Sequence, residues 1–309
     1  MAGGGPVLNR LVDSYLELRR ATGFQMKVHQ YLLHNFASYA EQRQETHVRT
    51  QTAIEWAGQA PSERQRANRL GMVRVFAQFA RAEDARHEVP AERVFSVQRV
   101  TYTPFIFTPS QLHELLVRAS KLAPLNSIRP WSYCTLFSLL AVTGLRISEA
   151  LNLRLKDVTP DGLLIHETKF RKSRLVPLHP TTERGMGRYL DRRGAVADDH
   201  VFVSIQGRGL RYPTVVAIFL RLVRAIGIHP GPGHRGPRIH DLRHSFAVRV
   251  LEASPATASP IEIGAHMLAL STYLGHADPA STYWYIHATP HLLAEIAEVS
   301  EDFVKGGKS

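Results

Sequence analysis

The chain has 309 residues, of which 44% are hydrophobic, so it is long enough for two domains that each bury a core. Its formal net charge of +11 is typical of proteins with a polyanionic partner, most commonly nucleic acid. The single cysteine, Cys134, excludes an internal disulfide, and no apolar run approaches the roughly 18 residues that a membrane span needs. Residues Met1–Pro6 lack the pattern of a signal peptide. We therefore expect a cytoplasmic protein with no membrane partner.

The first 92 residues carry helical periodicity and no strand signal before Val89. Apolar residues at helical spacing predict helices over Val7–Arg20, Thr50–Gly58 and Glu63–Ala82. Between the first two, another apolar stripe repeats at spacings of four and three residues: Val28, Leu32, Phe36 and Tyr39. We predict a small all-helical domain over residues 1–92.

A linker is predicted over residues 93–107, which show little helical period and contain Pro104. Thr108 then supplies an N-cap hydroxyl, Pro109 the first helical position and Gln111 the third, the pattern of a capping box. The second domain is therefore predicted to span residues 108–309.

One β insert interrupts the otherwise helical second domain. Two short apolar runs, Leu163–Ile165 and Leu175–Leu178, flank the basic stretch Glu167–Arg174, and Asp161-Gly162 is a turn signal. We predict a small antiparallel sheet with a basic hairpin tip: Lys169, Arg171, Lys172 and Arg174. The tip could contact a DNA backbone or donate a proton, although a solvated charged turn is the commoner arrangement.

The first motif that could take part in catalysis comes after the apolar run Trp131–Val142, a predicted helix that Gly144 ends. Arg146 then lies at the start of the next helix, where it could point into a cleft. Glu149, three residues on, could brace its guanidinium. The alternative is a surface arginine beside an ordinary helix start.

A second motif places His240 and Arg243 three residues apart, on one face of a helix. An imidazole and a guanidinium fork could together grip a phosphate, with Asp241 as a helix-start cap. Asp241 is also the only acidic residue between positions 200 and 251. The spacing of His240 and His244 suits zinc, but the Glu of H-E-x-x-H is absent, so we favour phosphate and expect no metal or other cofactor.

A third motif begins where Gly275 ends a helix and is followed by His276. Asp278-Pro279 can begin another helix, on which Tyr285 falls among other aromatic residues. Adjacent aromatic side chains are more often packing than catalysis, so Tyr285 alone decides nothing.

The order of these motifs resembles that of the tyrosine recombinase (phage integrase) family, over Thr143–His287. The match runs from a Thr-Gly-Leu-Arg motif, through a hairpin lysine, His-x-x-Arg and Leu-Gly-His, to a tyrosine. The resemblance implies a mainly α fold with a small antiparallel β-sheet. It also implies two domains, a helical DNA-clamping domain and a mixed α/β catalytic domain. The segment Ala253–Gly264 is long for this pattern and is predicted to loop out.

The resemblance also assigns roles. Tyr285 is the expected nucleophile, and Arg146 and Arg243 hold the scissile phosphate. The other slots are filled by His240 and His276 as the histidines, Lys169 as the general acid and Glu149 as the supporting acid. Phe170 follows Lys169 where a small residue is common, so Lys172 is an alternative acid. The candidates for DNA contact are Lys172, Arg174, Arg238 and His244.

The expected partner is double-stranded DNA carrying a specific recombination site, bound by a tetramer on two duplexes. Accessory DNA-bending or recombinase proteins, and association with the nucleoid, fit the same expectation. A C-terminal helix over about residues 290–304 carries Leu292, Ile296 and Phe303 at helical spacing. We expect it to dock on a neighbouring subunit, the alternative being packing on its own domain.

Three other functions fit the sequence less well. A type IB topoisomerase would use the same chemistry to relax DNA as a monomer, but the short chain and the candidate docking helix favour a recombinase. A non-catalytic DNA-binding regulator would not need the full catalytic set. An RNA-binding module would want stacking aromatics on a sheet, and the predicted β insert is too small and basic.

Overall fold

The computed structural model describes residues 7–24, 26–97, 103–166, 173–231, 236–253 and 260–275. The chain forms two compact units, Met1–Tyr102 and Thr103–Ser309. The boundary between them lies within the segment predicted as a linker, residues 93–107. Within the described ranges, no helix combines the length and apolar character that crossing a membrane requires.

Four helices form the described part of the first unit: α1 (Val7–Ala21), α2 (Lys27–Glu41), α3 (Thr50–Gly58) and α4 (Glu63–Glu83). Trp56 and Phe36 meet edge to face in its core, with their ring centroids 5.4 Å apart. The stripe predicted on α2 is partly wrong, because Val28 is 62% exposed. The buried face of α2 instead carries Leu33, Phe36, Ala37 and Ala40.

The described part of the second unit contains seven α-helices and one three-stranded sheet. In chain order the helices are α5 (Pro109–Ala119), α6 (Arg129–Thr143), α7 (Ile147–Asn152), α8 (Pro180–Arg193), α9 (Tyr212–Ala225), α10 (Asp241–Glu252) and α11 (Pro260–Leu274). The predicted capping box is confirmed at α5. The Thr108 hydroxyl accepts the Gln111 amide, and the Gln111 side chain accepts the Thr108 amide.

The sheet has the order β1-β2-β3 and is antiparallel throughout. Strands β2 (Gly162–Ile165) and β3 (Arg174–Val176) overlap the two runs predicted from sequence, but β3 ends at Val176 where the predicted run continued to Leu178. Strand β1 (Val158–Thr159) was not foreseen. Ile165 pairs with Arg174, so Arg174 belongs to the ladder and begins β3 instead of extending the hairpin tip. This register fixes where the Arg174 side chain starts.

Helix α6 lies at the centre of the second unit and contacts α5, α8 and α10. It buries side chains on most of its circumference, including Phe137, which meets Phe219 of α9 at a ring distance of 5.7 Å. A helix that is apolar on most sides is expected in the middle of a core. Because α6 is held on several sides, its C-terminal end is a rigid support for the turn that leads to α7.

Helix α11 packs on α10 through a smaller apolar cluster that includes Val248, Met267 and Leu274. The prediction that Ala253–Gly264 loops out is wrong at its end, because Pro260–Gly264 belong to the first turns of α11. Proline is favoured at the first helical position, and here Pro260 begins the helix. Gly275 follows α11 with a φ of 66°, as the sequence predicted for a residue that ends a helix.

Candidate active site

The tight turn that ends α6 positions Arg146 at the start of α7. Gly144 has a φ of 61°, the left-handed conformation that glycine adopts without penalty. A Cβ at this position would lie 2.4 Å from Cδ1 of Phe246, on α10. The turn can therefore lie this close to α10 only with glycine, and it leads the chain directly to Arg146.

Arg146 is held by Glu149 in two ways. The Arg146 backbone amide donates to Oε2 of Glu149 at 2.9 Å, and its Nη1 donates to Oε1 at 2.8 Å. The predicted contact between these two residues is present. The Glu149 side chain is only 7% exposed and that of Arg146 is 27% exposed. The guanidinium is therefore oriented from a buried carboxylate and still reaches the surface.

A second guanidinium, that of Arg174, binds the same carboxylate. Its Nη1 and Nη2 donate to Oε1 and Oε2 of Glu149 at 3.0 and 2.8 Å. Burial raises the pKa of Glu149, but the hydrogen bonds from Arg174 and from the Arg146 amide outweigh burial and lower that pKa below its ordinary value. Arg174 is among the residues predicted from the sequence to contact DNA, and its pairing with Glu149 has no local signal in the sequence.

Arg243 lies inside the unit, 2% exposed, and its guanidinium is held by peptide carbonyls. Nη1 donates to the Gly144 carbonyl and Nη2 to the Leu274 carbonyl, each at 2.8 Å. Arg146 donates through Nη2 to the next carbonyl along the chain, that of Gly275, at 2.9 Å. The two arginines predicted to hold a phosphate therefore meet at the C-terminal end of α11.

His240 lies just before α10 and its ring is edge-on to that of His244, with the centroids 4.8 Å apart. The residue reaches the surface, yet the burial of its ring and the charges of Arg243, Arg238 and Arg146 lower its pKa to about 4. The imidazole is therefore neutral near pH 7, the state in which it can accept a proton.

Asp241 stabilises the start of α10. Its Oδ2 atom accepts the backbone amide of Arg238, three residues earlier, at 2.8 Å. An acidic side chain that reaches back three residues in this way is one half of a capping box, which fits the prediction of a helix-start cap. The carboxylate is fully buried, which fixes the approach of the chain to His240.

Two groups of described side chains have the donor types that a metal ion needs. Each brings three donor atoms within 4.8 Å of one another: His47, Asp84 and His87, and Asp198, Asp199 and His200. In the first group the Val48 amide donates to Nδ1 of His87, which occupies that nitrogen. Neither group includes His240 or His244, so the zinc spacing of these two histidines finds no third ligand among the described residues.

Comparison with known proteins identifies the family. The model of the phage integrase family matches residues 106–291. The putative integrase/recombinase y4rB of Sinorhizobium fredii is 37% identical over 303 residues, covering 92% of this chain and 94% of that protein. The chain belongs to the phage integrase family of tyrosine recombinases.

Two further similarities concern this recombinase. The tyrosine recombinase XerD of Caulobacter vibrioides is 30% identical over 239 residues, which are 75% of this chain and 73% of that protein. Among solved structures, a lambda integrase tetramer bound to a Holliday junction is similar with a TM-score of 0.61 and 17% identity, covering 90% of this chain and 76% of that one. The predicted fold class, mainly α with a small antiparallel sheet, is confirmed.

Several predicted residues of the recombinase lie outside the described part of the chain. These are Lys169, Lys172, His276 and Tyr285, together with the candidate docking helix over about residues 290–304. Gly275, which binds Arg146 through its carbonyl, immediately precedes His276 in sequence. The part of the site that the structure describes therefore consists of five residues: Arg146, Glu149, Arg174, His240 and Arg243.

Proposed function

We propose that this recombinase breaks and rejoins DNA at a specific site through a covalent 3′-phosphotyrosine intermediate, with Tyr285 as the nucleophile. One observation carries the proposal beyond family membership. Arg146 and Arg243 are 97 residues apart in sequence (243 − 146), yet both donate to the adjacent carbonyls that end α11. That end leads directly into His276 and the segment carrying Tyr285.

The two guanidiniums suit a phosphodiester substrate. In the transition state of phosphoryl transfer, more negative charge collects on the non-bridging oxygens, and arginine meets such oxygens with paired N–H donors. Because Arg146 and Arg243 are already held by a carboxylate and by carbonyls, they need little reorganisation when the substrate binds. Losing one preorganised donor of this kind typically costs about 3–4 kcal/mol of barrier.

Cleavage requires two proton transfers. The phenol of Tyr285, with an ordinary pKa of about 10, must lose its proton to attack phosphorus. Neutral His240 accepts or shares that proton. The bond between phosphorus and the 5′ oxygen breaks, and Lys169, or Lys172 in its place, protonates the leaving oxygen. His276 hydrogen-bonds a phosphate oxygen or positions the tyrosine.

Religation reverses these steps. The free 5′-hydroxyl attacks the phosphotyrosine, the bond between phosphorus and Tyr285 breaks, and the phenol recovers its proton. The covalent link conserves the energy of the phosphodiester, so no ATP is needed.

Assembly on DNA is part of the proposal. The lambda integrase structure with a similar fold is a tetramer bound to a Holliday junction. We infer a tetramer on two duplexes here, with residues 1–92 as the DNA-clamping domain, residues 108–309 as the catalytic domain and a helix over about 290–304 docked on a neighbour. Accessory DNA-bending or recombinase proteins, and a cytoplasmic, nucleoid-associated location, belong to the same proposal.

The decisive experiment uses a DNA duplex with a nick close to the cleavage site. After cleavage the short fragment that carries the free 5′-hydroxyl diffuses away, so religation cannot occur and the covalent intermediate is trapped. Wild-type protein should form an SDS-resistant adduct and Tyr285→Phe none, while Tyr283→Phe serves as the matched control and keeps the adduct. An adduct that survives Tyr285→Phe would overturn the assignment of the nucleophile. Arg146→Ala and Arg243→Ala should abolish cleavage and leave much of the DNA binding.

The docking proposal has its own test. Truncation after Pro290 should weaken assembly of the synaptic complex, seen by analytical ultracentrifugation with DNA, while DNA binding by the monomer persists. Equal loss of assembly and of DNA binding would contradict docking on a neighbour.

A further inference from the structure

Arg174 is the described residue of the site to which the proposed chemistry gives no task. It begins β3 opposite Ile165, and its side chain is only 15% exposed. Both terminal nitrogens of its guanidinium donate to Glu149. A residue whose role was to contact a DNA backbone would present this charge to solvent, whereas Arg174 turns it towards a buried carboxylate.

Glu149 connects Arg174 to Arg146. Oε1 accepts from Nη1 of both arginines, at 2.8 Å from Arg146 and 3.0 Å from Arg174. Oε2 accepts the Arg146 amide at 2.9 Å and Nη2 of Arg174 at 2.8 Å. Each oxygen of the carboxylate thus touches both arginines. Without Arg174, the carboxylate would lose two charge-assisted hydrogen bonds and gain freedom to rotate.

The surroundings of Arg174 leave its guanidinium little freedom. Its Nε is buried, and the hydrogen bonds that the structure describes for its guanidinium all go to Glu149. On the other side the chain passes closely at Gly275, where a Cβ would lie 3.2 Å from Nη1 of Arg174 and 3.8 Å from Nη1 of Arg146. Both guanidiniums are therefore confined between one carboxylate and the end of α11.

We propose that Arg174 is a positioning residue: it fixes the Glu149 carboxylate and, through it, holds the Arg146 guanidinium in the geometry that meets the scissile phosphate. The inference rests on the proposed function and assigns Arg174 a role in it that differs from a contact with the DNA backbone.

The test measures single-turnover cleavage of the nicked duplex by the full chain, over a range of protein concentrations. Arg174→Gln should lower the rate constant at saturating protein on the order of 10²-fold, because a small displacement of a positioned group has effects of this size. The protein concentration at half-saturation should change little. Arg174→Lys, which keeps the charge and loses the fork, should be intermediate. Arg118→Gln removes an exposed arginine of the same unit and should match wild type.

A double-mutant cycle shows whether Arg174 acts through Glu149. In a Glu149→Gln background, Arg174→Gln should add less than about a twofold loss, because the connection is already broken. A full additional loss would mean that Arg174 acts on the substrate directly, and would overturn the proposal. A shift in half-saturation with an unchanged saturating rate would do so too, since it indicates a DNA contact.

A measurement without DNA keeps the inference separate from the proposed function. A ¹³C NMR titration of the Glu149 carboxyl, assigned with Glu149→Gln, should show a higher pKa in both Arg174 variants than in wild type or Arg118→Gln. An unchanged pKa would overturn the inference even if cleavage is impaired. If the wild-type protein forms no adduct, the proposed function fails, and the titration still decides whether Arg174 holds Glu149.

Discussion

The tight turn at Gly144 makes a sharp prediction about stability. Gly144→Ala places a methyl group 2.4 Å from Cδ1 of Phe246 and 3.1 Å from Cδ2 of Leu274. The left-handed backbone alone costs a non-glycine residue about 1–2 kcal/mol, and crowding a packed core costs about 1–3 kcal/mol more. We therefore expect Gly144→Ala to lower the free energy of unfolding by about 2–5 kcal/mol.

Gly227 offers a matched control, because its φ is 78° and no described atom would lie within 4 Å of its Cβ. Gly227→Ala should cost only the backbone part, about 1–2 kcal/mol. Phe246→Ala removes the contact at 2.4 Å and leaves the one with Leu274 at 3.1 Å, so the cost of Gly144→Ala in that background should fall towards the cost of Gly227→Ala. Urea unfolding of the full chain, followed by circular dichroism, measures all four variants. Equal costs for the two glycine variants, or no relief from Phe246→Ala, would refute the steric argument.

Three further predictions concern the site and its support. The charge of Arg238 helps to keep the pKa of His240 near 4, so Arg238→Gln should raise the pKa of His240. The fall of the cleavage rate at acidic pH should then begin at a higher pH than in wild type. An unchanged pH profile would argue against a contribution of Arg238 to this pKa. Because the pKa of Glu149 is lowered in the folded protein, the ionised carboxylate stabilises the fold above its ordinary pKa of 4.5, and this stabilisation is lost as the pH falls below that value. The difference in melting temperature between wild type and Glu149→Gln should therefore become smaller below pH 4.5. A difference that does not change with pH would show that the ionised carboxylate is not the source of the stabilisation. Ser245→Ala leaves the buried amide of Phe107 without its acceptor and should lower the free energy of unfolding in urea by about 1–3 kcal/mol. Ser120→Ala, at an exposed serine, is the control. Equal losses of stability in the two variants would mean that another group accepts the Phe107 amide.

Local patterns predicted most of the elements in the described part of the chain. Helix α3 has the bounds Thr50–Gly58 expected from its periodicity, and the capping box at Thr108 begins α5 as expected. The error at Val28 has a physical reason. The predicted stripe began at Val28, whereas the buried face of α2 begins at Leu33 and continues through Ala37 and Ala40, whose small side chains do not stand out in the sequence.

Some contacts of the site join residues that are close in sequence, and others join residues that are far apart. The contact of Arg146 with Glu149 spans three residues on one helix start, so spacing alone could suggest it. Arg174 reaches Glu149 across 25 residues, and Arg243 reaches the Gly144 carbonyl across 99. Such contacts depend on how β3, α6 and α10 pack, and no periodicity in the sequence encodes that packing.

Arg146 and Arg243 are held largely by main-chain carbonyls, and this affects how the site tolerates mutation. Three of their acceptors, at Gly144, Leu274 and Gly275, are main-chain atoms that every residue type carries. Exchanging the side chain at position 274 leaves its acceptor oxygen in the chain, so such a change harms the anchor only by moving the backbone. Among the acceptors that the structure describes for these two arginines, the Glu149 carboxylate is the one that a substitution removes outright.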